Sequence, residues 1–433
     1  MSGLAPGDTL EVRIEKGVYR GLGLARHQGQ VVFIPRAVPG DLVRARIASA
    51  RPGYVEATLE ALVERSGDRR PSPCPYVPRC GGCAYQEIAY AGQVRLKEAI
   101  LRESLGRAGS PWDGEIALAP SPEEGWRIRA SLHVGVRDGA LLLGLRQEGS
   151  HEVVDLPKCL QLSEALNSTA RGMRSALEGR PDLWRRIKGI DLAESPSGGE
   201  LVASVAADLD AREATSLVFL AQDLPALTGL GVETIGRQRR FLLLRGSPYI
   251  RATVLGLTLR AHVRSFFQGN RFLVESLARA VVDLVPLNGS VLDLYAGVGL
   301  FAVPIAARAQ PVMAIELSPQ AADDAVANAR GARLRNARVG TGDVREVLRS
   351  WPQSAGEHIV LDPPRAGAGP QVVAAIASRR PETVVYVSCD PPTLGRDLAG
   401  FAKAGYRPDR LLAFDLFPDT FHLETVVRLV PAG

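Results

Sequence analysis

The sequence lacks the features that would place it in a membrane, an export pathway or a repeat array. No apolar run reaches the roughly 20 residues that a helix needs to cross a bilayer, so we expect no membrane span. The N-terminus has no basic stretch followed by an apolar one, so we expect no export and predict a cytoplasmic protein. Because such a compartment keeps thiols reduced, the 5 cysteines are not expected to form disulfides.

Lysine is scarce, and arginine supplies nearly all of the positive charge. Lysine occurs only at positions 16, 97, 158, 188 and 403, although the chain has 52 basic and 47 acidic residues and a net charge of +5. A GC-rich genome would by itself account for this usage. Arginine also suits phosphate through its bidentate fork, so the composition favours an acidic partner such as nucleic acid. Basic clusters that could bind phosphate or form a solvated face are Arg127 with Arg129, Arg185 and Arg186 with Lys188, and Arg237 with Arg239 and Arg240.

The pattern along the 433 residues predicts a multi-domain α/β protein. Residues 1–64 contain short alternating runs between glycine turns, which predicts an OB-like β-barrel. A small barrel without any ligand would give the same pattern. Residues 65–92 and 120–260 are predicted to form a central α+β domain, and a helix is expected near 90–107.

From about residue 288, strands alternate with helices, which predicts a Rossmann-type, doubly wound parallel sheet. The last two strands are too close in sequence for a crossover helix, so we predict an antiparallel hairpin at the end of that sheet. We assign residues 93–119 and 261–433 to this third domain.

A glycine-containing loop follows a strand of the buried type and precedes a helix. Asp293 ends the strand, and Gly297 allows the backbone to approach a ligand closely. Glu316 ends the next strand, where a carboxylate can accept from both ribose hydroxyls, and Asp343 could meet an adenine. The spacing also fits a dinucleotide site or an empty turn. Asp293 before the loop, and the DPPR sequence at a later strand end (362–365), favour S-adenosylmethionine.

Cys389 follows an apolar run at the expected carboxyl edge of the sheet. A single cysteine is more often a small buried hydrophobic residue. The helix expected after Asp390 can lower a thiol pKa through its N-terminus, and the same Asp-Pro-Pro sequence recurs at 362–364. Glu424 on the terminal hairpin could act as a base, although alone it would indicate a solvated carboxylate. Together these neighbours favour a nucleophilic thiol.

The remaining cysteines form a separate set, Cys74, Cys80, Cys83 and Cys159. Four thiolates suit either a zinc ion or an iron–sulfur cluster. The second CxxC pair that is typical of zinc sites is missing, and the glycines at 81 and 82 leave N–H groups free to face cluster sulfides. No Cys-x3-Cys-x2-Cys sequence occurs, so radical cleavage of S-adenosylmethionine is not indicated.

Residues 262–433 resemble the S-adenosylmethionine-dependent RNA 5-methyluridine methyltransferases. The matching motifs, in order, are SFFQGN at 265–270, DLYAGVG at 293–299, DPPR at 362–365, SCDP at 388–391 and HLE at 422–424. The family also carries the Cys-x5-Cys-x2-Cys set with a distant fourth cysteine, and often an N-terminal TRAM domain. The resemblance therefore covers nearly the whole chain, and it favours a [4Fe-4S] cluster over zinc in the central domain.

The resemblance implies roles for individual residues. Cys389 would be the nucleophile and Glu424 the general base, and Phe266 would pack on a flipped uracil. Contacts to the donor or the target base would come from Gln268, Tyr295, Glu316 and Asp362.

The chemistry explains these residue types independently. Uracil C5 is too weak a nucleophile to take a sulfonium methyl group, but a thiolate adding to C6 makes C5 enolate-like. Gln268 could stabilise the charge at O4, and Glu424 would remove the C5 proton before Cys389 leaves. The base must first leave its stack, which requires aromatic and polar surface.

We predict methylation of a uridine in structured RNA by a monomeric enzyme. Large-subunit 23S ribosomal RNA is favoured, because the TRAM and cysteine modules resemble that branch, and transfer RNA is the second candidate. RNA 5-methylcytosine transfer is a rival, but those enzymes typically use two active-site cysteines. A non-catalytic RNA-binding or folding factor is the other rival.

Overall fold

The computed structural model describes residues 4–235 and 239–433, whose strands form three large sheets and a separate hairpin. Within those two ranges, no helix has both the length and the apolar character to cross a bilayer.

Residues 4–64 form the N-terminal module, a six-stranded sheet. Alternate side chains of its strands fill an apolar core, as the period of two requires. The strands are β1 (Thr9–Arg13), β2 (Lys16–Val18), β3 (Leu22–His27), β4 (Gln30–Pro35), β5 (Leu42–Arg51) and β6 (Tyr54–Glu64), in the order β1-β5-β6-β4-β3-β2.

An irregular segment with three of the cysteines leads from this module into helix α1 (Tyr90–Arg107) and strand β7 (Ala117–Ala119). Lys97 of α1 is fully buried and forms an ion pair of 2.6 Å with Asp415, which also has no exposed side-chain surface. The helix is therefore fixed to the C-terminal part of the chain by a buried charge pair.

The central sheet has seven strands, with one parallel pair (β12 and β13) among antiparallel neighbours. Helix α2 packs on one face and begins at Ser163, whose side chain accepts from the Leu166 N–H. The strands are β8 (Arg129–Arg137), β9 (Ala140–Arg146), β10 (Val153–Asp155), β11 (Ile187–Glu194), β12 (Leu201–Ala207), β13 (Gly229–Thr234) and β14 (Arg240–Gly246), in the order β10-β9-β8-β11-β12-β13-β14. The helices are α2 (Glu164–Glu178), α3 (Pro181–Trp184), α4 (Ala211–Ala214), a 3-10 turn (Thr215–Val218) and α5 (Phe219–Asp223).

A hairpin of β15 (Tyr249–Val254) and β16 (Leu257–His262) precedes the third sheet, which has eight strands with apolar clusters on both faces. Its strands are β17 (Ser290–Leu294), β18 (Val312–Glu316), β19 (Ala337–Thr341), β20 (Glu357–Leu361), β21 (Thr383–Ser388), β22 (Tyr406–Phe414) and β23 (Glu424–Pro431), joined at the edge by β7 in the order β19-β18-β17-β20-β21-β23-β22-β7. Its helices are α6 (Val274–Leu284), α7 (Ala302–Ala307), α8 (Pro319–Gly331), α9 (Val344–Ser350), α10 (Gly369–Ser378) and α11 (Pro391–Lys403).

The predicted doubly wound sheet is present, with β17 to β21 parallel. The predicted terminal hairpin is also present, and β23 inserts antiparallel between β21 and β22. The helix expected near 90–107 runs over those residues.

Candidate active site

Four parallel strands of the third sheet end at one edge, because β18, β17, β20 and β21 are consecutive neighbours. Glu316 is the last residue of β18. Tyr295, Asp362 and Cys389 directly follow the last residues of β17, β20 and β21. Ligands of such sheets bind outside the carboxyl ends of the strands. Motifs separated by more than ninety residues are therefore brought to one place by the topology alone.

Glu424 reaches the same edge from the opposite direction. In the antiparallel ladder of β21 and β23, Ser388 lies opposite Thr425. The next pair in that register is Cys389 and Glu424, so the thiol and the carboxyl become cross-strand neighbours. Glu424 is 2% exposed, whereas Cys389 is half-buried.

One cleft of about 1780 Å³ contains all of the residues predicted for donor, base and thiol chemistry. Pockets for a single small ligand hold about 300–1,000 Å³, so the cleft has room for a donor and a nucleotide together. The predicted residues on its walls are Phe266, Gln268, Tyr295, Gly297, Glu316, Asp343, Asp362, Cys389 and Glu424. Their individual roles stay predictions.

The glycine loop leaves open space for a donor molecule. Gly297 has φ +55°, and a Cβ built on it would meet no atom within 4 Å. Its N–H donates to Glu316 Oε2 at 2.8 Å, and the Ser318 N–H donates to Oε1 at 2.7 Å. Tyr295 also has a positive φ, of 61°. The loop is thus folded tightly around a carboxylate while its surface towards the cleft is bare.

Asp343 lies farther along the same wall as the N-cap of α9. The Arg345 backbone N–H and guanidinium both donate to its carboxylate, and the guanidinium holds the pKa of Asp343 below its usual range. The carboxylate therefore stays ionised and ordered at the position predicted for adenine.

Acidic groups crowd the reacting end of the cleft. Burial raises the pKa of Asp362 to about 7, and burial together with Asp362 raises the pKa of Glu424 well above its ordinary value. Burial, and after it the charges of Glu424 and Asp362, raise the pKa of the Cys389 thiol to about 12. Arg365 acts in the opposite direction on both Cys389 and Glu424. The thiol is therefore protonated at neutral pH in the ligand-free protein.

The segment 263–270 is braced on three sides. Arg129 donates to the carbonyls of Val263 and Ser265 at 2.7 and 2.8 Å, and the Ser265 hydroxyl donates to Asp324 at 2.7 Å. The Asn270 amide donates to the Leu416 carbonyl at 3.1 Å. Phe266 is nevertheless 68% exposed, on a wall of the cleft. A large aromatic ring held out by a rigid segment is suited to stacking on a base.

The four remaining cysteines line one small cavity of the central region: Cys74, Cys80, Cys83 and Cys159. The Gly82 N–H lies 3.5 Å from Cys80 Sγ, and Arg127 lies on the same wall. In the ranges 4–235 and 239–433, no group of three or more His, Cys, Asp or Glu side chains is arranged to hold a single metal ion.

The basic clusters have different environments. Arg127 and Arg129 are half-buried and donate to backbone carbonyls, so a solvated face is the wrong interpretation for them. Arg186 forms an exposed ion pair with Glu213, and Arg239 lies on the cleft wall. Arg237 lies outside the described residues.

The sequence did not single out several cleft residues, namely Arg20, Arg264, Arg345 and Phe421. Arg20 lies in the N-terminal module, with φ +72°. No local signal identifies it, because the contact of this module with the cleft is formed only in the folded chain.

A parallel sheet with a bare glycine loop, an acidic residue at the end of the next strand and polar residues at later strand ends is typical of Rossmann-type methyltransferases. Residues 89–431 match the model of the tRNA (uracil-5-)-methyltransferase family, and residues 4–59 match the TRAM domain. The chain therefore belongs to the tRNA (uracil-5-)-methyltransferase family. It is an S-adenosylmethionine-dependent RNA methyltransferase with an N-terminal TRAM domain, as the sequence predicted.

Relatives and one solved structure resemble almost the whole chain. An uncharacterized RNA methyltransferase of Streptomyces avermitilis is 34% identical over 450 residues, covering 99% of each chain. Another, from Halalkalibacterium halodurans, is 29% identical over 444 residues, covering 98% of this chain and 97% of the relative. The tRNA (uracil-54, C5)-methyltransferase of Pyrococcus abyssi, solved with S-adenosyl-L-homocysteine, has a TM-score of 0.77 and 24% identity, covering 97% of this chain and 99% of that one. That likeness shows a shared fold.

Proposed function

We propose that the protein transfers a methyl group from S-adenosylmethionine to C5 of a uridine in structured RNA, through a transient bond between Cys389 and C6. The observation that carries the proposal is the antiparallel register that pairs Cys389 with Glu424 at the edge where the donor loop opens. A nucleophile and a base that lie side by side at the end of the donor cleft are what this substitution needs.

In the proposed reaction each residue acts on one part of the uracil. The Cys389 thiolate adds to C6, and the electron pair moves through C5 to O4, to which the Gln268 amide donates. C5 then takes the methyl group of the donor, a substrate that leaves as the neutral thioether. Glu424 takes the proton from C5, and the C6–S bond breaks to return the thiolate. Phe266 holds the extruded uracil by stacking.

The thiol must lose a proton to solvent before it attacks, although burial and the neighbouring carboxyl groups raise its pKa to about 12. Arg365 and the cationic sulfonium are the charges that favour the thiolate. The enzyme then develops its nucleophile only when donor and RNA are bound.

For the RNA target we propose a uridine of 23S ribosomal RNA, with transfer RNA as the second candidate. The combination of a TRAM domain with four further cysteines supports the ribosomal choice, whereas the solved Pyrococcus abyssi structure is a transfer RNA enzyme. Incubation with radiolabelled donor and either 23S fragments or tRNA transcripts, followed by 5-methyluridine mapping, distinguishes them. Label in tRNA alone would overturn the ribosomal assignment.

We also propose that Cys74, Cys80, Cys83 and Cys159 hold a [4Fe-4S] cluster, with zinc as the alternative. A zinc ion needs four sulfurs at about 2.3 Å from one point, whereas a cubane takes one thiolate on each of its irons. The four cysteines share one cavity, and the Gly82 N–H lies 3.5 Å from Cys80 Sγ, an arrangement that supports the cluster. The cluster would tie 74–83 to 159 and give the Arg127 guanidinium an anionic neighbour. Anaerobic purification with iron, sulfide and zinc analysis tests this, and zinc without sulfide would refute it.

We further propose the division into residues 1–64, 65–92 with 120–260, and 93–119 with 261–433. Pairing of β7 with β22 and the buried Lys97–Asp415 pair support the assignment of 93–119 to the catalytic domain.

The central test uses RNA containing 5-fluorouridine, whose C5 fluorine cannot be removed as a proton. We expect a covalent protein–RNA band that survives denaturing gels, requires the donor and is absent from Cys389→Ala. A folding factor would bind the RNA without any such band. A band of equal intensity in Cys389→Ala would refute the assignment of the nucleophile.

A further inference from the structure

The TRAM domain touches the active site through one turn, residues 19–21 between β2 and β3. The Tyr19 hydroxyl donates to Asp390 Oδ2 at 2.5 Å, a contact that joins residues 371 positions apart. The Tyr19 ring packs edge-to-face on Phe421, with 5.2 Å between the centroids. Phe421 lines the cleft two positions after Asp419 and three before Glu424. The turn thus contacts both segments that carry the reacting side chains.

Gly21 shows how closely the turn packs against Ala84 and Phe421. It has φ +76°, and a Cβ at this position would lie 2.8 Å from Ala84 Cβ and 3.7 Å from the Phe421 ring. Real Cβ atoms do not approach one another at 2.8 Å, so the close approach depends on glycine. The backbone of the turn is therefore shaped to place Tyr19 against Phe421 and Asp390.

Asp390 connects the turn to the thiol. It directly follows Cys389 and caps α11, with Oδ1 accepting from the Thr393 N–H and hydroxyl, both at 2.9 Å. Its other oxygen accepts from Tyr19. Burial and Asp390 raise the pKa of the Tyr19 hydroxyl, so it keeps its proton and remains a donor. One carboxylate thus fixes the residue after Cys389 to the helix and to the TRAM domain at once.

We propose that Tyr19 is a positioning residue for the methyl transfer: its hydrogen bond to Asp390 holds the Cys389 backbone in the orientation that attacks C6. The TRAM domain then contributes to the chemical step in addition to any contact with RNA. This inference rests on the proposed function, because it requires Cys389 to be the nucleophile.

The test compares Tyr19→Phe, which keeps the ring on Phe421 and removes only the hydroxyl, with the full-length wild type. The readouts are the single-turnover rate of adduct formation with saturating 5-fluorouridine RNA, the RNA dissociation constant and the melting temperature. Losing one hydrogen bond to a charged acceptor predicts a rate at least about tenfold lower. RNA affinity should stay the same, and the melting temperature should fall only by the small amount that the loss of a single hydrogen bond accounts for. A purely structural role would change the melting temperature and leave the rate of the folded enzyme unaltered.

Tyr54→Phe is the matched control, because Tyr54 belongs to the same domain and packs on Phe33 without lining the cleft. Its adduct rate should equal that of the wild type. In a double-mutant cycle, Asp390→Ala should leave little further effect for Tyr19→Phe, since the two act through one contact.

A Tyr19→Phe rate within about twofold of the wild type, a loss confined to RNA affinity, or additive effects in the cycle would each overturn the proposal. Those results leave the proposed function standing, provided that the wild type forms the adduct and Cys389→Ala does not. An inactive wild type would instead overturn the proposed function and this inference with it.

Discussion

Alkylation of Cys389 in the ligand-free protein provides a direct measure of the electrostatics of the cleft. Burial and the carboxyl groups of Glu424 and Asp362 raise the thiol pKa from 9.0 to about 12. At pH 7 the thiolate fraction then falls about 1000-fold relative to an ordinary thiol. A thiolate of higher pKa is the stronger nucleophile, and a Brønsted slope of about 0.4–0.5 raises its intrinsic rate constant about 16- to 30-fold. We therefore expect iodoacetamide to react about 30- to 60-fold more slowly than with an unperturbed thiol.

The assay is mass spectrometry of the Cys389 peptide after timed labelling, with the same peptide in urea-unfolded protein as the control. Since the pKa is raised, the rate in the folded protein should climb about tenfold per pH unit up to about pH 10 without a plateau. The unfolded control should level off above its own pKa. Cys389 is half-buried and lines the cleft, so iodoacetamide reaches the thiol from the cleft.

Bound ligands offer a matched comparison, because S-adenosylmethionine carries a sulfonium charge and S-adenosylhomocysteine is its neutral analogue. The cation should accelerate labelling relative to the neutral thioether, and Arg365→Gln should slow labelling in the free protein. Labelling of the folded protein at the rate of the unfolded control, at pH 7, would refute the argument. So would a rate that is the same with both ligands.

Three further predictions follow from single contacts. Lys97→Met should lower the free energy of unfolding in urea by about 3–5 kcal/mol, since it leaves Asp415 buried and without its charge partner. Lys16→Met, at a partly exposed pair with Glu103, should lower it by at most about 1 kcal/mol. Equal losses in the two variants would contradict the burial argument. Glu316→Gln should weaken S-adenosylmethionine binding about tenfold by calorimetry without changing RNA affinity, because the carboxylate accepts from the glycine loop and lines the cleft at the position proposed for the donor. Unchanged donor affinity would exclude Glu316 from that site. Arg20 lines the cleft, so as a phosphate contact its replacement by alanine should lower RNA affinity and reduce the slope of log affinity against log salt by about one. The adduct rate at saturating RNA should stay unchanged. An unaltered slope would show that Arg20 does not contact an RNA phosphate.

The parts of the site that could be predicted are those that local sequence and sheet topology determine. Strand-end polar residues in a parallel sheet must meet at one edge, so Glu316, Asp362 and Cys389 could be placed together before any coordinates. The position of Glu424 could be predicted because the link between the last two strands is too short for a crossover helix, which requires these strands to pair antiparallel. The strand Ala337–Thr341 was missed because its small and charged residues give no apolar run at an edge of the sheet.

The contacts between domains could not be predicted. Tyr19 and Asp390 carry no periodicity or motif that relates them, and their approach depends on how two separately folded units dock. The same holds for Asp419, which has φ +62° and accepts from Gln86, Gln93 and Gln161. These three glutamines lie in segments that the sequence assigned to different domains. The three hydrogen bonds to Asp419 depend on long-range packing, which the local sequence does not indicate.

The excess of acid around Cys389 has a chemical rationale that joins these observations. A permanently ionised thiolate would be open to oxidation and alkylation in every empty enzyme, whereas a thiol with a pKa of about 12 is protected. A cationic donor favours the ionised forms of the same carboxyl groups, and its sulfonium also favours the thiolate of Cys389. Glu424, whose pKa is raised by burial and Asp362, is at the same time a stronger base towards the C5 proton than an exposed glutamate. Burial, together with the neighbouring carboxyl groups, therefore keeps the nucleophile inactive in the absence of substrates and strengthens the base that completes the reaction.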